Sequence, residues 1–445
     1  MVRVLSFTGL GRDLGRQPHA ASFWSASARE RCECPRLAAD VDADVAIIGG
    51  GFTGLSAAHY VNLAGRSATV LEANQIGWGA SGRNGGNAVP RYKPTFPELE
   101  ARYGREIAIC MYRWAHDALD TLEQIIDHHA LPCGFVRCGL LTPMTSDKNI
   151  ARFRSDAEWL RRHVGDNAPC LLDRKETACA VGSEFYAASY LEPRAGAIHP
   201  FDYCQSLGNA LVRRGVRLFC ETPVLDWIED GKHVRLRTPD GSVRARQLII
   251  ATNGYSDLSK AGRHLNKRVV PVASAVISTQ VLAPGVRATI LPRGQVATDA
   301  KRLTNYYRIL PDGSLLFGGR GGASSRASPK IYERVRRDMT KIFPQLDGVP
   351  IRYAWFGLVA VTLDGLPHIG MLRRNVHYAL GYNGRGVALS ALLGRELAQR
   401  ATSDAGESLG PISEGRFAAI PFHALRLPAK QLAIKYMQAV DYLGF

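Results

Sequence analysis

A short apolar segment that runs directly into a glycine-rich turn constrains this chain more than any other feature. Residues 44–54 read DVAIIGGGFTG, in which Gly49, Gly51 and Gly54 have the G-x-G-x-x-G spacing of a dinucleotide-binding βαβ unit. The first glycine permits a tight turn, the second lets the backbone approach a pyrophosphate, and the third lets the next helix pack on the strand. Glu72 ends a second apolar run, where a carboxylate can accept hydrogen bonds from a ribose and would repel a ribose 2′-phosphate.

The context of this motif separates it from an accidental match in a glycine-rich loop. An apolar strand precedes the turn, and a helix-compatible segment at 53–64 follows it and is stopped by Gly65. The acidic residue also falls at the end of the next strand, where the motif requires it. The sequence therefore predicts a βαβ unit that binds a dinucleotide.

Charge and hydropathy exclude two other classes of protein. The net charge of the 445 residues is +16, but the basic residues are spread along the chain. The densest cluster, at 334–337, lies inside an amphipathic segment at 331–343 and is interpreted as one solvated face of a helix. No apolar run of about 18 residues occurs, so an integral membrane segment is not expected. We predict no nucleic-acid partner.

The cysteines indicate a reducing compartment. There are nine of them, an odd number without regular spacing, which argues against a disulfide framework and favours a cytoplasmic location. Cys32 and Cys34 form a Cys-x-Cys pair with no second pair to complete a zinc site, so no metal site is predicted. The first thirty residues are basic and serine-containing, and they are expected to form an unstructured extension.

Two further segments extend the predicted ligand site. A loop at 77–86 contains five glycines and follows the strand that ends at Glu72, so its exposed backbone amides suit an extended ligand. Far along the chain, a strand at 376–380 enters a glycine turn at 381–386 and then a helix. Two phosphate-compatible turns at opposite ends of one chain indicate a ligand larger than a mononucleotide.

Several of these motifs resemble the D-amino-acid-oxidase-like superfamily of FAD-dependent oxidoreductases, and most closely its gamma-glutamylputrescine oxidases. The resemblance is carried by GASGRNGG at 79–86, by YYR at 306–308 with FGG at 317–319, by DGLPHIG at 364–370 and by the turn at 381–386. It covers roughly residues 21 to 445. No cysteine occupies the C-terminal segment where some relatives anchor flavin covalently, so the resemblance implies FAD bound non-covalently.

The motifs and the resemblance together predict a set of cofactor-binding residues. The first glycine turn would hold the pyrophosphate, Glu72 the adenosine ribose, and Val224 the adenine through its backbone. The loop at 77–86 would line the ribityl chain and the isoalloxazine, and the turn at 381–386 would point a helix N-terminus at the flavin. The predicted residues are Gly49, Gly51, Phe52, Thr53, Gly54, Glu72, Ala80, Ser81, Gly82, Arg83, Asn84, Gly85, Gly86, Val224, Gly254, Gly381, Gly384, Arg385, Gly386 and Val387.

The predicted fold class is α/β: a Rossmann-like FAD-binding domain with a parallel sheet, interleaved with an α+β substrate domain built on a mainly antiparallel sheet. Helical spacing from Pro97 to about His129 and short alternating strands interrupt the nucleotide fold and are assigned to the second domain. The predicted segments are an N-terminal extension at 1–40, an FAD-binding domain at 41–95, 196–265 and 355–405, a substrate domain at 96–195 and 266–354, and a tail at 406–445.

The chemistry that the resemblance implies is oxidation of the CH–NH bond of an amine. A hydride would pass to flavin N5, the imine would hydrolyse, and O2 would reoxidise the flavin to give H2O2. The substrate would be a gamma-glutamylputrescine-like amine, a polyamine or an N-substituted amino acid. Two alternatives stay open: a dehydrogenase that uses a quinone or another acceptor, and a non-catalytic flavoprotein subunit of an electron-transfer complex. The sequence leaves the oligomeric state open as well.

On the substrate side, Tyr307 and Arg308 are the predicted catalytic residues, with a simple salt bridge on the sheet as the equal alternative for Arg308. Two departures from relatives bear on the substrate and the acceptor. Glycine oxidases carry an arginine for the substrate carboxylate at the position of Val359, so an α-carboxylate loses one partner here. Sarcosine oxidases place a lysine for oxygen activation on a strand like 315–317, where this chain has leucine.

Overall fold

Two large β-sheets and the helices around them organise the chain. A computed structural model describes residues 17–258, 260–322, 329–403, 408–415 and 417–420. The strands in chain order are β1 (Val41–Ile48), β2 (Ala68–Leu71), β3 (Asn87–Ala88), β4 (Val136–Arg137), β5 (Leu140–Met144), β6 (Cys170–Leu172), β7 (Ala188–Glu192), β8 (Gly196–Ala197), β9 (Arg217–Phe219), β10 (Asp226–Asp230), β11 (His233–Arg237), β12 (Ser242–Ile250), β13 (Val270–Val281), β14 (Val296–Thr298), β15 (Asn305–Ile309), β16 (Ser314–Gly322), β17 (Ile351–Val361), β18 (His368–Arg373) and β19 (Val376–Leu380).

The helices pack on one face of the first sheet and against the second sheet. They are α1 (Phe23–Ala26), α2 (Phe52–Leu63), α3 (Phe96–Tyr103), α4 (Arg105–His129), α5 (Asp147–Val164), α6 (Arg174–Val181), α7 (Pro200–Arg213), α8 (Pro284–Thr289), α9 (Pro329–Ile342) and α10 (Gly386–Ser403). Short 3₁₀ helices occur at Ala80–Gly82, Asn253–Leu258, Lys260–Gly262, Asn266–Arg268, Pro344–Leu346 and Gly410–Ile412. No helix in this described part of the chain combines the length and the apolar character needed to cross a bilayer.

The first sheet has the parallel core that the βαβ motif predicts. Strands β19, β12, β1, β2 and β9 are neighbours in this order, and each neighbouring pair is parallel. The hairpin β10–β11 and strand β18 extend the sheet in antiparallel fashion. The carboxyl ends of β1, β2, β12 and β19 therefore meet at one edge, which is where open α/β sheets bind ligands.

The second sheet is mainly antiparallel, so the predicted fold class is confirmed. Its order is β17-β13-β16-β15-β14-β5-β7-β6, and only the pair of β14 with β5 is parallel. Strand β17 pairs along its length with β13. The domain boundary predicted at residue 355 falls inside β17, so the sheet division places 355–361 with the second sheet.

Helices α2 and α10 cross in close contact beside the parallel sheet. A Cβ on Gly394 of α10 would lie 2.5 Å from the Cβ of Ser56 and 2.9 Å from the backbone nitrogen of Ala57 on α2. Only a glycine at 394 lets the two helices approach so closely. Their N-termini, each next to one of the two glycine turns, consequently lie side by side.

The stretch from Pro97 to His129 is helical, as its spacing predicts, and it is divided into two helices because Gly104 adopts a left-handed φ of +86° that ends α3 before α4 begins. One local prediction is corrected by the structure. The N-terminal region was expected to be unstructured, yet residues 17–40 are ordered against the fold. Phe23 and Trp24 are buried in a cluster with Phe201 and Trp355, which offsets the entropy of ordering the segment. Residues 1–16 lie outside the described part.

Candidate functional site

A cleft of about 1270 Å³ opens at the carboxyl edge of the parallel sheet. It runs from the turn after β1, past the end of β2, to the start of α10. Both glycine turns line it, together with the start of the loop at 77–86 and the segment at 223–224. One elongated site is therefore built by seven segments of the chain, at 48–53, 71–74, 78–84, 223–224, 251–255, 358–360 and 382–390.

The first glycine turn has the geometry that its motif requires. Gly49 has a φ of +112°, and a Cβ there would lie 2.9 Å from the carbonyl oxygen of Ala251. A Cβ on Gly51 would lie 2.8 Å from Ser81 Oγ and project into the cleft, and one on Gly54 would clash with the Gly49 carbonyl oxygen. Gly51 thus keeps the cleft open, whereas Gly54 keeps helix α2 close to the strand.

The N-terminus of α2 points free donors at the cleft. Gly51 caps the helix without any side-chain hydrogen bond, and in the described structure the N–H groups of Gly51 and Thr53 have no partner within the chain. The N–H of Phe52 donates to Ser81 Oγ at 3.0 Å. Donors arranged in this way, at the positive end of a helix dipole, suit a phosphate group.

Glu72 is held at the end of β2 by the backbone of both neighbouring turns. Its Oε2 accepts from the N–H of Gly50 at 2.8 Å, and its Oε1 accepts from the N–H of Asn74 at 2.9 Å. Burial raises the pKa of this carboxyl more than the backbone donors lower it. Glu72 also lines the cleft, where its carboxylate could accept a hydrogen bond from a ribose hydroxyl.

Two tryptophans from one buried cluster hold the loop at 77–86. The indole N–H of Trp24 donates to the carbonyl oxygen of Asn84 at 2.8 Å, and that of Trp355 donates to the carbonyl oxygen of Arg83 at 2.9 Å. Within the loop, the side-chain amide of Asn84 donates to the carbonyl oxygens of Ala80 and Ser81. The loop is therefore a fixed wall of the cleft rather than a flexible surface segment.

Arg83 brings a buried positive charge to this wall. Its Nε donates to the Trp78 carbonyl oxygen at 2.7 Å, and its guanidinium carbon lies 4.6 Å from the centroid of the Trp78 ring. No carboxylate within the described residues pairs with it. Burial accordingly lowers the pKa of the guanidinium, although it stays protonated at neutral pH.

The second glycine turn, at 381–386, is fixed by two asparagines. Asn253, which follows β12, accepts from the N–H of Gly381 at 3.0 Å. The side chain of Asn383 accepts from the N–H of Thr362 at 3.0 Å and donates to Thr362 Oγ1 at 3.0 Å. A further hydrogen bond of 2.7 Å joins the hydroxyl of Tyr382 to that of Thr53 on α2, so it ties the two turns together across the cleft.

A second cavity, of about 790 Å³, continues from the cleft into the space between the two sheets. Its polar lining consists of hydroxyl and amide side chains and three cations, and no carboxylate occurs among the described residues that line it. It shares with the cleft the residues Ala80, Asn84, Leu358, Val359, Gly384 and Val387. Its other lining residues include Arg83, Gly85, Asn87, Lys93, Ser274, Thr298, Thr304, Tyr306 and Arg385.

The choice of Tyr307 as a substrate-side residue is corrected by the direction of its side chain. Alternate residues of β15 point to opposite faces. Tyr306 lines the second cavity, with its hydroxyl 3.0 Å from Ser274 Oγ. Tyr307 points into the core of the second sheet instead, where its ring stacks on Phe317 with centroids 5.4 Å apart.

Arg308 lies on the same face as Tyr306 but lines a different cavity, beyond the loop at 77–86. Its Nη1 donates to the Ile198 carbonyl oxygen at 3.0 Å, and its guanidinium faces the ring of Trp24 at 5.8 Å. No carboxylate in the described part of the chain pairs with it, so the salt-bridge alternative is not found either. Burial lowers the pKa of this guanidinium to about 10.

Most of the predicted cofactor residues come together. Gly49, Gly51, Phe52, Thr53, Glu72, Ala80, Ser81, Asn84, Val224, Gly384, Gly386 and Val387 line the cleft, and Arg83, Gly85 and Arg385 line the second cavity. Gly54, Gly82, Gly86, Gly254 and Gly381 do not line either cavity. They lie where a Cβ would meet neighbouring atoms, and so they shape the walls from behind.

Sequence reasoning missed three large polar or aromatic residues of the cleft. Trp78, Asn253 and Tyr255 line it, and the ring of Tyr255 packs on Trp78 with centroids 5.6 Å apart. Trp78 lies within the predicted loop, but an apolar ring between glycines gives no sign of its direction. Asn253 directly follows a buried parallel strand, and this position could have identified it as a site residue.

The fold and the cleft define a nucleotide-binding α/β oxidoreductase. The chain belongs to the DAO family of FAD-dependent oxidoreductases, whose family model matches residues 44–400. The predicted family and its FAD cofactor are thereby confirmed.

Named relatives lie close in sequence. The chain is 31% identical over 432 residues to the gamma-glutamylputrescine oxidoreductase of Escherichia coli (strain K12), which covers 96% of this chain and 99% of that protein. It is also 31% identical over 390 residues to a probable oxidoreductase, OrdL, of Haemophilus influenzae, which covers 87% of this chain and 89% of that protein.

Solved structures share the fold at lower identity. L-proline dehydrogenase from P. horikoshii has a TM-score of 0.72 at 20% identity, covering 85% of this chain and 98% of the other. Glycine oxidase from Geobacillus kaustophilus has a TM-score of 0.71 at 20% identity, covering 84% and 99%. At these identities the likeness establishes the two-sheet architecture alone.

The residues of the cleft fit FAD. Gly51 leaves room for a pyrophosphate beside free helix N–H groups, and the Glu72 carboxylate is placed for a ribose. Farther along, the fixed loop at 77–86 and the start of α10 border the second cavity, where a flavin ring would meet a substrate.

Proposed function

We propose that this protein oxidises the CH–NH bond of an amine whose molecule also carries a carboxylate at a distance from that bond, as in a gamma-glutamylated amine. The observation that carries this proposal is the second cavity, which continues from the FAD cleft and is lined by cations but by no described carboxylate. The name of the Escherichia coli relative, a gamma-glutamylputrescine oxidoreductase, agrees with such a substrate.

In this proposal the cofactor lies along the cleft. The first glycine turn and the N-terminus of α2 bind the pyrophosphate, Glu72 binds the adenosine ribose, and Val224 offers its backbone to the adenine. The loop at 77–86 borders the flavin, and the N-terminus of α10 faces the ring. Bound FAD supplies the two-electron acceptor for the substrate carbon, and O2 or another acceptor regenerates it.

The charges of the second cavity would prepare the amine for oxidation. An amine must lose its proton before the adjacent C–H bond can be oxidised readily. Nearby positive charges disfavour the ammonium form and lower its pKa, and Arg83, Lys93 and Arg385 all line this cavity. The same cations attract the substrate carboxylate, so binding and deprotonation would be driven by one electrostatic field. No side chain then needs to act as a strong base.

Two features favour this substrate class over the alternatives. A polyamine such as putrescine is a dication, which the cations of the cavity would repel. A free α-amino acid would have its carboxylate beside its amine, at the junction with the cleft. There this chain has Val359, which offers neither a charge nor a donor.

The proposal is tested by anaerobic bleaching of the FAD-loaded protein with four compounds: gamma-glutamylputrescine, putrescine, sarcosine and glycine. We expect the gamma-glutamylated amine to reduce the flavin most rapidly. Reduction by none of the four would contradict amine oxidation and favour the electron-transfer subunit. Faster reduction by putrescine than by its gamma-glutamyl derivative would contradict the assignment of a carboxylate site.

A substitution at Lys93 tests whether the second cavity recognises the carboxylate of the substrate. Lys93→Met should lower kcat/KM for gamma-glutamylputrescine and leave FAD affinity unchanged, because Lys93 lines the second cavity and not the cleft. Lys175→Met, at an exposed lysine on α6, is the matched control. Equal effects of the two substitutions would contradict a role for Lys93.

Oxidase and dehydrogenase activity are distinguished by the compound that accepts the electrons of the reduced flavin. The yield of H2O2 per imine in air is compared with the rate of dye or quinone reduction without O2. Leucine at 315 and 316, where sarcosine oxidases have a lysine, makes the dehydrogenase a specific alternative. The cytoplasmic location stays a prediction.

A further inference from the structure

Three histidine side chains meet where helices α2 and α4 end, away from the flavin cleft. His59 lies in the last turns of α2, and His128 and His129 are the final two residues of α4. The Nδ1 atom of His59 lies 3.0 Å from Nε2 of His129. One nitrogen from each of the three rings lies within 4.8 Å of the others.

The contact between two of these rings suits a metal ion. A metal ligand must be a neutral imidazole with a free lone pair. At 3.0 Å the facing nitrogens of His59 and His129 can share only one proton, so one of the two nitrogens offers its lone pair to the other. A metal would replace that shared proton.

The surrounding helix ends favour a cation. The C-termini of α2, α4 and α7 converge here: the contact of His59 with His129 joins α2 to α4, and a hydrogen bond of 3.2 Å from Asn62 to the carbonyl oxygen of Arg214 joins α2 to α7. The negative ends of three helix dipoles therefore face this region. Arg213 and Arg214 oppose them, but both are exposed, so solvent screens their charge.

We infer that His59, His128 and His129 form a binding site for a divalent transition metal, with Zn²⁺ as the representative ion. Imidazole ligands suit zinc, copper and nickel. Tetrahedral bonds of about 2.0–2.1 Å place ligand nitrogens about 3.4 Å apart, so the facing pair has to separate only slightly. His128 is exposed, which leaves the fourth coordination position open to water.

The site would fasten the two helices rather than take part in the oxidation. Thr53, which lines the flavin cleft, precedes His59 by six residues on the same helix, a rise of about 9 Å. A bound metal would join the end of α2 to the end of α4 and thereby hold in place the helix that presents its N-terminus to FAD. Because His59 lies far in sequence from the other two histidines, motif spacing could not reveal the site.

The test uses the full chain, loaded with FAD and free of any histidine tag. Calorimetric titration with Zn²⁺ should show one ion per chain, and X-ray absorption should give zinc–nitrogen distances of about 2.0–2.1 Å. We expect His128→Ala to weaken zinc binding at least tenfold, and His163→Ala, at a histidine on α5, to leave it unchanged. Zinc should raise the Tm of the wild type and not that of His128→Ala.

The cysteines provide the competing outcome. The sulfurs of Cys32 and Cys34 lie 3.5 Å apart and could take up zinc themselves. Zinc–sulfur distances of about 2.3 Å in the absorption spectrum would overturn the assignment to histidine. Unchanged affinity in His128→Ala, or no bound zinc in the wild type, would overturn it as well.

Discussion

Replacing Glu72 by alanine tests the assignment of the adenosine end of the cleft. The carboxylate accepts from the N–H groups of Gly50 and Asn74 and lines the cleft, where it could also accept from a ribose hydroxyl. The substitution removes the ribose partner and also frees two backbone donors at the edge of the turn. Glu72→Gln keeps one acceptor and the volume of the side chain, so it should have an intermediate effect.

The expected change in the Kd for FAD follows from the negative charge of the Glu72 carboxylate. A hydrogen bond to a charged group contributes about 1.5–3 kcal/mol. Its loss in Glu72→Ala should raise the Kd for FAD about 10- to 150-fold. Glu72→Gln exchanges a charged acceptor for a neutral one, which should raise the Kd about tenfold.

Comparing the Kd values for FAD and FMN distinguishes two roles of Glu72: contact with the adenosine ribose and support of the first glycine turn. FMN carries the flavin and one phosphate but lacks the adenosine, so it cannot use a ribose contact at Glu72. We expect the ratio of the Kd values for FMN and FAD, measured by fluorescence with the apoprotein, to fall in Glu72→Ala. An unchanged ratio would show that Glu72 only supports the turn. Glu176→Gln, at a carboxylate that accepts from the N–H of Asp173 far from the cleft, should change neither Kd.

Three further predictions concern the second cavity, the first glycine turn and a buried carboxyl group. Tyr306→Phe should lower kcat/KM for the amine several-fold without weakening FAD binding, whereas Tyr307→Phe should leave kcat/KM unchanged; equal losses would contradict the assignment of opposite faces. Gly54→Ala should lower the Tm of the apoprotein because its Cβ clashes with backbone, while Gly51→Ala should mainly raise the Kd for FAD; the reverse pattern would refute the division of roles. Burial raises the pKa of Asp299 to about 7, so between pH 4 and 7 the unfolded chain loses this proton while the folded protein keeps it, and the free energy of unfolding falls. The Tm of Asp299→Asn relative to wild type should rise over that interval and then level off, and a flat difference would refute this.

The cofactor half of the site was predictable because its signals are local. Gly49, Gly51 and Gly54 follow one strand and precede one helix, and the roles of these glycines depend on backbone geometry that their spacing alone specifies. Glu72 also ends a strand of unmistakable apolar character. The parallel order of the first sheet follows from such strand–helix alternation.

The substrate half depends on which face of a strand meets which partner. Tyr306 and Tyr307 are equally tyrosines in a strand, and only the packing of Phe317 and Phe343 against one face decides which of them reaches the cavity. Trp24 was likewise predicted to lie in an unstructured extension, because the sequence does not show which residues it packs against. Its hydrogen bond to the loop joins residues 60 positions apart, and sequence patterns carry no signal at that distance.

The segments that line the cleft are widely spaced in the sequence, and this affects when the chain can bind FAD during its synthesis. The helix that carries the second turn, α10, ends at Ser403, and β19 must pair beside β12 before that turn is in place. A nascent chain that has emerged only as far as the first turn presents phosphate donors without a binding site around them. FAD can be taken up with full affinity only after α10 has left the ribosome and the second turn has joined the first.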